Sequence, residues 1–167
     1  MWRLLIGGVL GALVVSLAAC GGSGASSASD EDLQRTADLY AIDQIEKNFH
    51  KATSKHDIDL MMSLWAPNAT FTVGPGNTAT GKEQIRNVWL KKSQAFEPTN
   101  HWVSDTVAYK IRIRVNGDKG TLYFECHYID PKTQKLMSIT GADQQVARIN
   151  GEWLITDMVG ASATLSP

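Results

Sequence analysis

One histidine and two carboxylates are the side chains of this sequence best suited to move a proton at a pocket: His101, Asp143 and Glu125. Histidine titrates near neutral pH, so it can both accept and return a proton under working conditions. A carboxylate beside it would hold the ring and raise its pKa. His101 stands at the start of a strand, Asp143 follows Gly141 in a later strand, and Glu125 shares one face of a central strand with Tyr123 and His127. Each has a plainer reading. His101 can be a hydrogen-bonded structural residue and Asp143 an edge carboxylate in water. The face of Tyr123, Glu125 and His127 can be solvent or dimer surface, because Leu122, Phe124, Cys126 and Tyr128 need the core more. His50 and His56 are expected on solvated helix surfaces.

Other chemistries find no support in the pattern. The four histidines fall on different elements, with no His-x-x-x-His or Cys-x-x-Cys pair, so neither metal nor cofactor is expected. A nucleophile elbow and a Gly-x-Gly-x-x-Gly run are both lacking. Lys and Arg number 16 against 17 Asp and Glu, for a formal net charge of −1. That balance gives no basic field, and nucleic acid is not an expected partner.

The elements that would carry these residues follow from periodicity. Leu33, Ala37, Tyr40, Ala41, Ile45, Phe49 and Ala52 recur at helical steps, with Asp38, Asp43, Glu46 and Lys47 on the other side. Ser29 is a candidate N-cap, and Asp30, Glu31 and Asp32 suit the positive end of the helix dipole. Asp57 can cap a short helix carrying Leu60, Met61, Leu64 and Trp65, ended by Pro67; a strand then runs from Asn68 to Val73. Gly81 to Ser93 forms a third helix with Ile85, Val88 and Trp89 on one face.

From Asn100 the period changes to two. Tyr109, Ile111, Ile113 and Val115 should face the helices, with Arg112 and Arg114 outward. Leu122 to Tyr128 alternates likewise, with Cys126 as a small buried hydrophobe. Leu136 to Arg148 is a long strand expected to bend at a bulge at Gly141. Asn150-Gly151 is a strong hairpin signal before a closing strand, Glu152 to Val159. The order is α+β, with helices packed on one face of a curved antiparallel sheet.

Four segments carry a family likeness: "KHDIDLMMSLWAPNATFT", "TGKEQIRNVW", and the hairpins "NHWVSDTVAYKIRIRVNGDKGTLYFECHYID" and "GADQQVARINGEWLITD". They resemble the SnoaL-like group of the nuclear transport factor 2-like superfamily. The resemblance implies a cone-like fold, a curved sheet wrapped round a long N-terminal helix and two shorter ones, with a pocket at the open end. It also implies a homodimer through the outer face of the sheet. Relatives often carry a histidine at the position of His101 and a glutamate at that of Glu125. In the superfamily's ketosteroid isomerases an aspartate base works beside a tyrosine and a protonated aspartate. Counting from Asp57, Phe49 falls where those enzymes have the tyrosine and Val73 where they have the base. Neither exchanges a proton, so that mechanism is not expected. An aromatic-lined cone suits a small, largely apolar ligand, held by Trp65, Phe71, Trp89 and Tyr40.

The first twenty residues read as an address. Met1-Trp2-Arg3 is a short basic start, an apolar run follows, and Leu17-Ala18-Ala19-Cys20 resembles the lipobox of bacterial lipoproteins. The likeness implies a signal peptide over 1–19, cleaved before Cys20, with diacylglycerol on its sulfur and a further acyl chain such as palmitate on the new amino terminus. The alternative is a single membrane span, but the run is shorter than the ~20 apolar residues one needs and contains glycines. Gly21 to Ser29 is small and polar, a flexible tether ahead of one domain over 30–162. The expected place is the bacterial cell envelope, lipid-anchored to a membrane. Three functions then stand side by side: a pocket that binds a small molecule, a dehydratase or isomerase using His101 with a carboxylate, and a module that docks a partner protein.

Overall fold

A computed structural model describes residues 29–164, and the side chains of 29–160. The signal peptide, Cys20 and the tether up to residue 28 lie outside the described residues. Helix α1 (Asp30–Lys55) starts where the Ser29 hydroxyl accepts the Asp32 N–H and ends where His56 takes φ +54°. Helix α2 (Ile58–Ser63) is capped by the Asp57 side chain on Leu60 N–H. Strands β1 (Trp65–Val73) and β2 (Thr78–Thr80) precede α3 (Gly81–Lys92). Then come β3 (Val103–Asp105), β4 (Arg112–Asn116), β5 (Lys119–Ile129), β6 (Leu136–Ile149) and β7 (Glu152–Thr164).

The seven strands form one sheet in the order β2-β1-β7-β6-β5-β3, with β4 also on β5. All pairs are antiparallel except β1 with β7, which run parallel. The sheet curves around α1, which touches β3, β4, β5 and β7, while α3 closes over β1. This is the cone that the sequence led us to expect.

Four local expectations are corrected. The buried stripe of α1 is rotated from the purely apolar one: Ile42, Ile45 and Phe49 are inside together with Asp38, Glu46, His50 and Thr53, while Leu33 and Tyr40 are exposed. The polar members tolerate burial because each finds a partner. Asp38 receives both Oδ atoms' bonds from Arg148 at 2.7 Å and the Trp153 indole N–H at 3.2 Å, which pins α1 to the β6–β7 hairpin. Second, Pro67 does not end α2. It lies inside β1, between Trp65, paired with Ile155, and Thr70, paired with Asp157. The register shifts there, and a residue without an N–H costs the ladder nothing.

Third, Tyr109 is not inward. It sits in a 3-10 turn, 76% exposed, and only Ile111, Ile113 and Val115 lean on the core. Fourth, the β5–β6 register runs unbroken through Gly141, and the bulge lies on the β7 side, between Gln145 and Val146. Gly141 has another role. A Cβ there would come within 3.3 Å of the Tyr123 hydroxyl, so the missing side chain is the space across which Tyr123 lies. The Asn150-Gly151 turn is as read: φ of +52° and +87° suits a tight hairpin.

The core ranking can be checked by urea denaturation. Phe124 is 1% exposed and meets Phe49 edge-on at 5.1 Å. Phe124→Ala should cost about 3–5 kcal/mol, whereas Tyr109→Ala should stay within about 0.5 kcal/mol of the parent.

Candidate functional site

Where the sheet opens, β1, α3 and the segment after α3 enclose a cavity of about 280 Å³. Its wall is Phe71 and Val73 of β1 with Val88, Trp89 and Lys92 of α3. Ser93, Gln94 and Ala95 form the rim beyond α3, and Trp102 closes the side facing β3. Tyr128, Ser138, Thr140, Met158 and Gly160 make the floor. Their inward aim follows from strand alternation, since Ser138 and Thr140 lie on the face of β6 that also buries Ala142, Gln144 and Val146. Phe71 stacks on Trp89 at 5.4 Å and 18°, and Trp102 lies 6.4 Å from Tyr128. Among the described residues the lining contains no carboxylate and no imidazole. Its titratable members are Lys92 and Tyr128, and burial pushes the Tyr128 hydroxyl well above its ordinary pKa.

Of the four side chains proposed for ligand contact, Phe71 and Trp89 line this cavity. Trp65 stands one layer deeper, fully buried, with its ring 5.5 Å from that of Phe71, so it supports the wall without forming it. Tyr40 is 65% exposed on α1 and far from this role. Its helical spacing matched an apolar face, but at this level α1 turns the side carrying Asp38 and Ile42 inward and leaves Tyr40 on the other.

The three candidate proton carriers do not meet at the cavity. The His101 side chain is 55% exposed, and its Nε2 lies 3.1 Å from Asp130 Oδ2. The Thr133 N–H, then His101 and the Lys132 N–H, hold the Asp130 carboxyl down at about 2. His101 thereby ties the entry to β3 onto the β5–β6 turn. Glu125 is on the outer face of the sheet. It accepts from the Tyr123 hydroxyl at 2.8 Å, His127 Nε2 at 3.1 Å and Lys110 Nζ at 3.2 Å. Those donors, Tyr123 foremost, lower its pKa to about 2. Arg112 covers the Tyr123 ring at 4.1 Å from its centroid. Asp143 is exposed on β6, in register with Tyr123 on that same outer face.

Besides Asp38 and Glu46, a further titratable group lies where sequence reasoning did not place it. His50 is buried, not solvated, and its ring bridges three elements: Nε2 is 3.2 Å from Glu46 Oε1 and 3.8 Å from Cys126 Sγ, and Nδ1 is 2.6 Å from Ser104 Oγ. The i, i+4 spacing of Glu46 and His50 was the available signal. Burial drives both toward neutrality, raising Glu46 to about 7 and lowering His50 to about 4. The Asp105 carboxylate nearby pushes both upward. Cys126 is inert by comparison, its thiol pushed up to about 12 by burial. Among the described residues no group of three or more His, Cys, Asp and Glu side chains is placed to hold a metal ion.

Glu46 and His50 make opposite demands on pH. Folded Glu46 keeps its proton to about pH 7, so its contribution falls as pH rises from its ordinary 4.5 through that window. Folded His50 stays neutral to about pH 4, so its contribution falls as pH drops through 6.5 toward 4. The two slopes offset one another near pH 5–6. Glu46→Gln removes one, so the stability of that variant relative to the parent should climb by on the order of 1–3 kcal/mol between pH 5 and 8, read by denaturation at each pH.

The likenesses to known proteins agree with this architecture. The sequence matches the SnoaL-like domain over residues 34–159. Among solved structures, a nuclear transport factor 2-like protein with a cystatin-like fold from Novosphingobium aromaticivorans superposes with a TM-score of 0.67 at 15% identity, over 83% of this chain and 91% of that one. A hexachlorocyclohexane dehydrochlorinase from Novosphingobium barchaimii gives 0.65 at 18% identity, over 81% and 93%. A nuclear transport factor 2-like protein of unknown function from Pseudomonas putida gives 0.65 at 15%, over 79% and 98%. At such identities these structures share the fold. No curated protein matches the chain in sequence. The cone, its open-ended cavity and a sequence match running from α1 to β7 together place this chain in the SnoaL-like domain family.

Proposed function

We propose that this protein is a lipid-anchored component of the bacterial cell envelope whose cone binds a small, largely apolar molecule. The observation that carries the binding reading is the cavity itself. Aromatic and aliphatic side chains line most of about 280 Å³, and among the described residues no carboxylate or imidazole faces the space. That volume is at the lower edge of the ~300–1,000 Å³ usual for small-molecule sites, so the ligand is a compact one, on the scale of one or two fused rings. Polar orientation comes from the floor, where Ser138 and Thr140 bring hydroxyls. Val73, at the position where the isomerases of the superfamily hold their base, lines the cavity as a hydrocarbon. The anchor reading rests on Leu17-Ala18-Ala19-Cys20 and the short polar tether after it.

Isothermal titration calorimetry with neutral aromatic probes such as 2-naphthol should detect saturable one-to-one binding with a negative heat-capacity change. Trp102→Ala and Trp89→Leu should each weaken it at least about tenfold, the scale of one lost aromatic contact. His101→Ala should leave it within about twofold, because His101 lies outside the cavity. Absence of binding across the panel, or binding that survives both tryptophan changes, would refute the reading. Isomerisation of a ketosteroid should not be detectable by absorbance.

The anchor has its own test. In cells, the parent protein should partition into the detergent phase of a Triton X-114 extraction and incorporate labelled palmitate. Cys20→Ser should do neither. Normal maturation and membrane retention of that variant would exclude lipidation at Cys20.

A further inference from the structure

A second, more open depression of about 310 Å³ adjoins the cavity, and the two share Val73, Val88 and Lys92 as a common wall. Its character is different. Asn77 and Thr78 come from the turn into β2 and from its first residue, and Gln84, Asn87, Lys91 and Lys92 from successive turns of α3. The spacing of Gln84, Asn87 and Lys91 at three and four residues places all three on one side of that helix. Gln84 is held there, since its Oε1 accepts the Thr80 N–H at 3.0 Å, and the group left to donate is its amide NH2. Asn87 likewise spends its Nδ2 on the Glu83 carbonyl at 3.1 Å.

Among the described residues neither lining contains an Asp or a Glu and both contain Lys92, while the groove adds Lys91. Among the described residues, neither Lys91 nor Lys92 has a carboxylate within ion-pairing distance, as holds for most of the lysines; what distinguishes these two is their place on the walls of the two spaces. Lysines in the last turn of a helix also complement its dipole, but that effect alone asks for no neighbouring amides and no shared cavity wall. Two unpaired ammonium groups at the mouth of an aromatic-lined cavity define an amphipathic site, dry at one end and cationic at the other.

We propose that the ligand is a small organic anion, an apolar body bearing a carboxylate, with the body in the aromatic cavity and the carboxylate in the groove against Lys91, Lys92 and the Gln84 amide. This rests on the binding reading above and names the class of molecule that the site selects. Lys92 is the hinge of the arrangement, because it alone of the two cations touches both spaces. The carboxylate stays partly in water, which keeps its desolvation cost low and leaves the attraction sensitive to salt.

The test uses matched pairs of probes, each an acid and its neutral amide: 2-naphthylacetate with 2-naphthylacetamide, and octanoate with octanamide. Calorimetry at low salt should show the acid binding at least about fivefold tighter than its amide, the scale of one or two partly exposed charge contacts. That ratio should fall toward one in 0.5 M sodium chloride and in Lys91→Gln/Lys92→Gln. A ratio near one in the parent protein, or one that persists in the double variant, overturns the anion assignment while leaving the apolar cavity standing. Absence of binding by either member of both pairs overturns the cavity reading, and the anion assignment with it. The salt series on the parent protein keeps the test independent of how well the variant folds.

Discussion

Phe49 is the point on which the rest of the molecule turns. Its ring meets Trp89 edge-on at 5.3 Å and Phe124 edge-on at 5.1 Å, so one side chain of α1 fixes both α3 and the central strand β5. Trp89 then stacks on Phe71, and Phe71 lies against Trp65. The series runs from the helix at the axis of the cone to the wall of its cavity. The same contacts that bury apolar surface therefore set the shape of the cavity. A ligand of the proposed kind would meet a wall that folding has already ordered, and little conformational entropy would remain to be lost on binding.

The axis helix carries its own difficulty. A helix enclosed by a sheet on several sides has more buried positions than an apolar stripe supplies, and α1 fills the excess with Asp38, Glu46, His50 and Thr53. Each is partnered within the interior: Asp38 by Arg148 and Trp153, Glu46 and Ser104 by His50, Thr53 by the Phe49 and His50 carbonyls. These bonds limit the cost of burial more than they add stability. Their value lies in register, because Asp38 fits only beside the β6–β7 hairpin and His50 only beside Ser104 and Cys126. Gln144 lacks this compensation. It is 1% exposed, and neither of its amide atoms is bonded among the described residues.

The two faces of β5 divide stability from surface chemistry. Inward, Leu122, Phe124, Cys126 and Tyr128 build the core and the cavity floor. Outward, Tyr123, Glu125 and His127 form a network completed by Lys110 and Arg112. A strand alternates strictly, so a residue on one face cannot serve the other without a slip of register. Glu125 and Asp143 are therefore confined to the outside of the sheet, away from the enclosed space.

Most of the elements, their order and the fold they build were legible in the sequence, though β2 was not and Trp65 was read as helical. Helical and two-residue periods, the Ser29 and Asp57 caps and the Asn150-Gly151 turn are local features, and local sterics and hydrogen bonding decide them. The sequence also determined which face of β5 is buried, since period two leaves two choices and the apolar set removes one. Tertiary structure decided what periodicity cannot encode. The rotation of α1 depends on partners more than fifty residues away, such as Arg148 for Asp38 and Ser104 for His50. Pro67 inside β1 depends on a parallel partner, β7, that no local signal names. Phe71 and Trp89 were legible as cavity residues because large aromatics are the usual lining of an apolar pocket. Lys92, Ser138, Thr140 and Met158 were not, because an open cavity is defined by the gap between elements, and a gap has no residue of its own to be read.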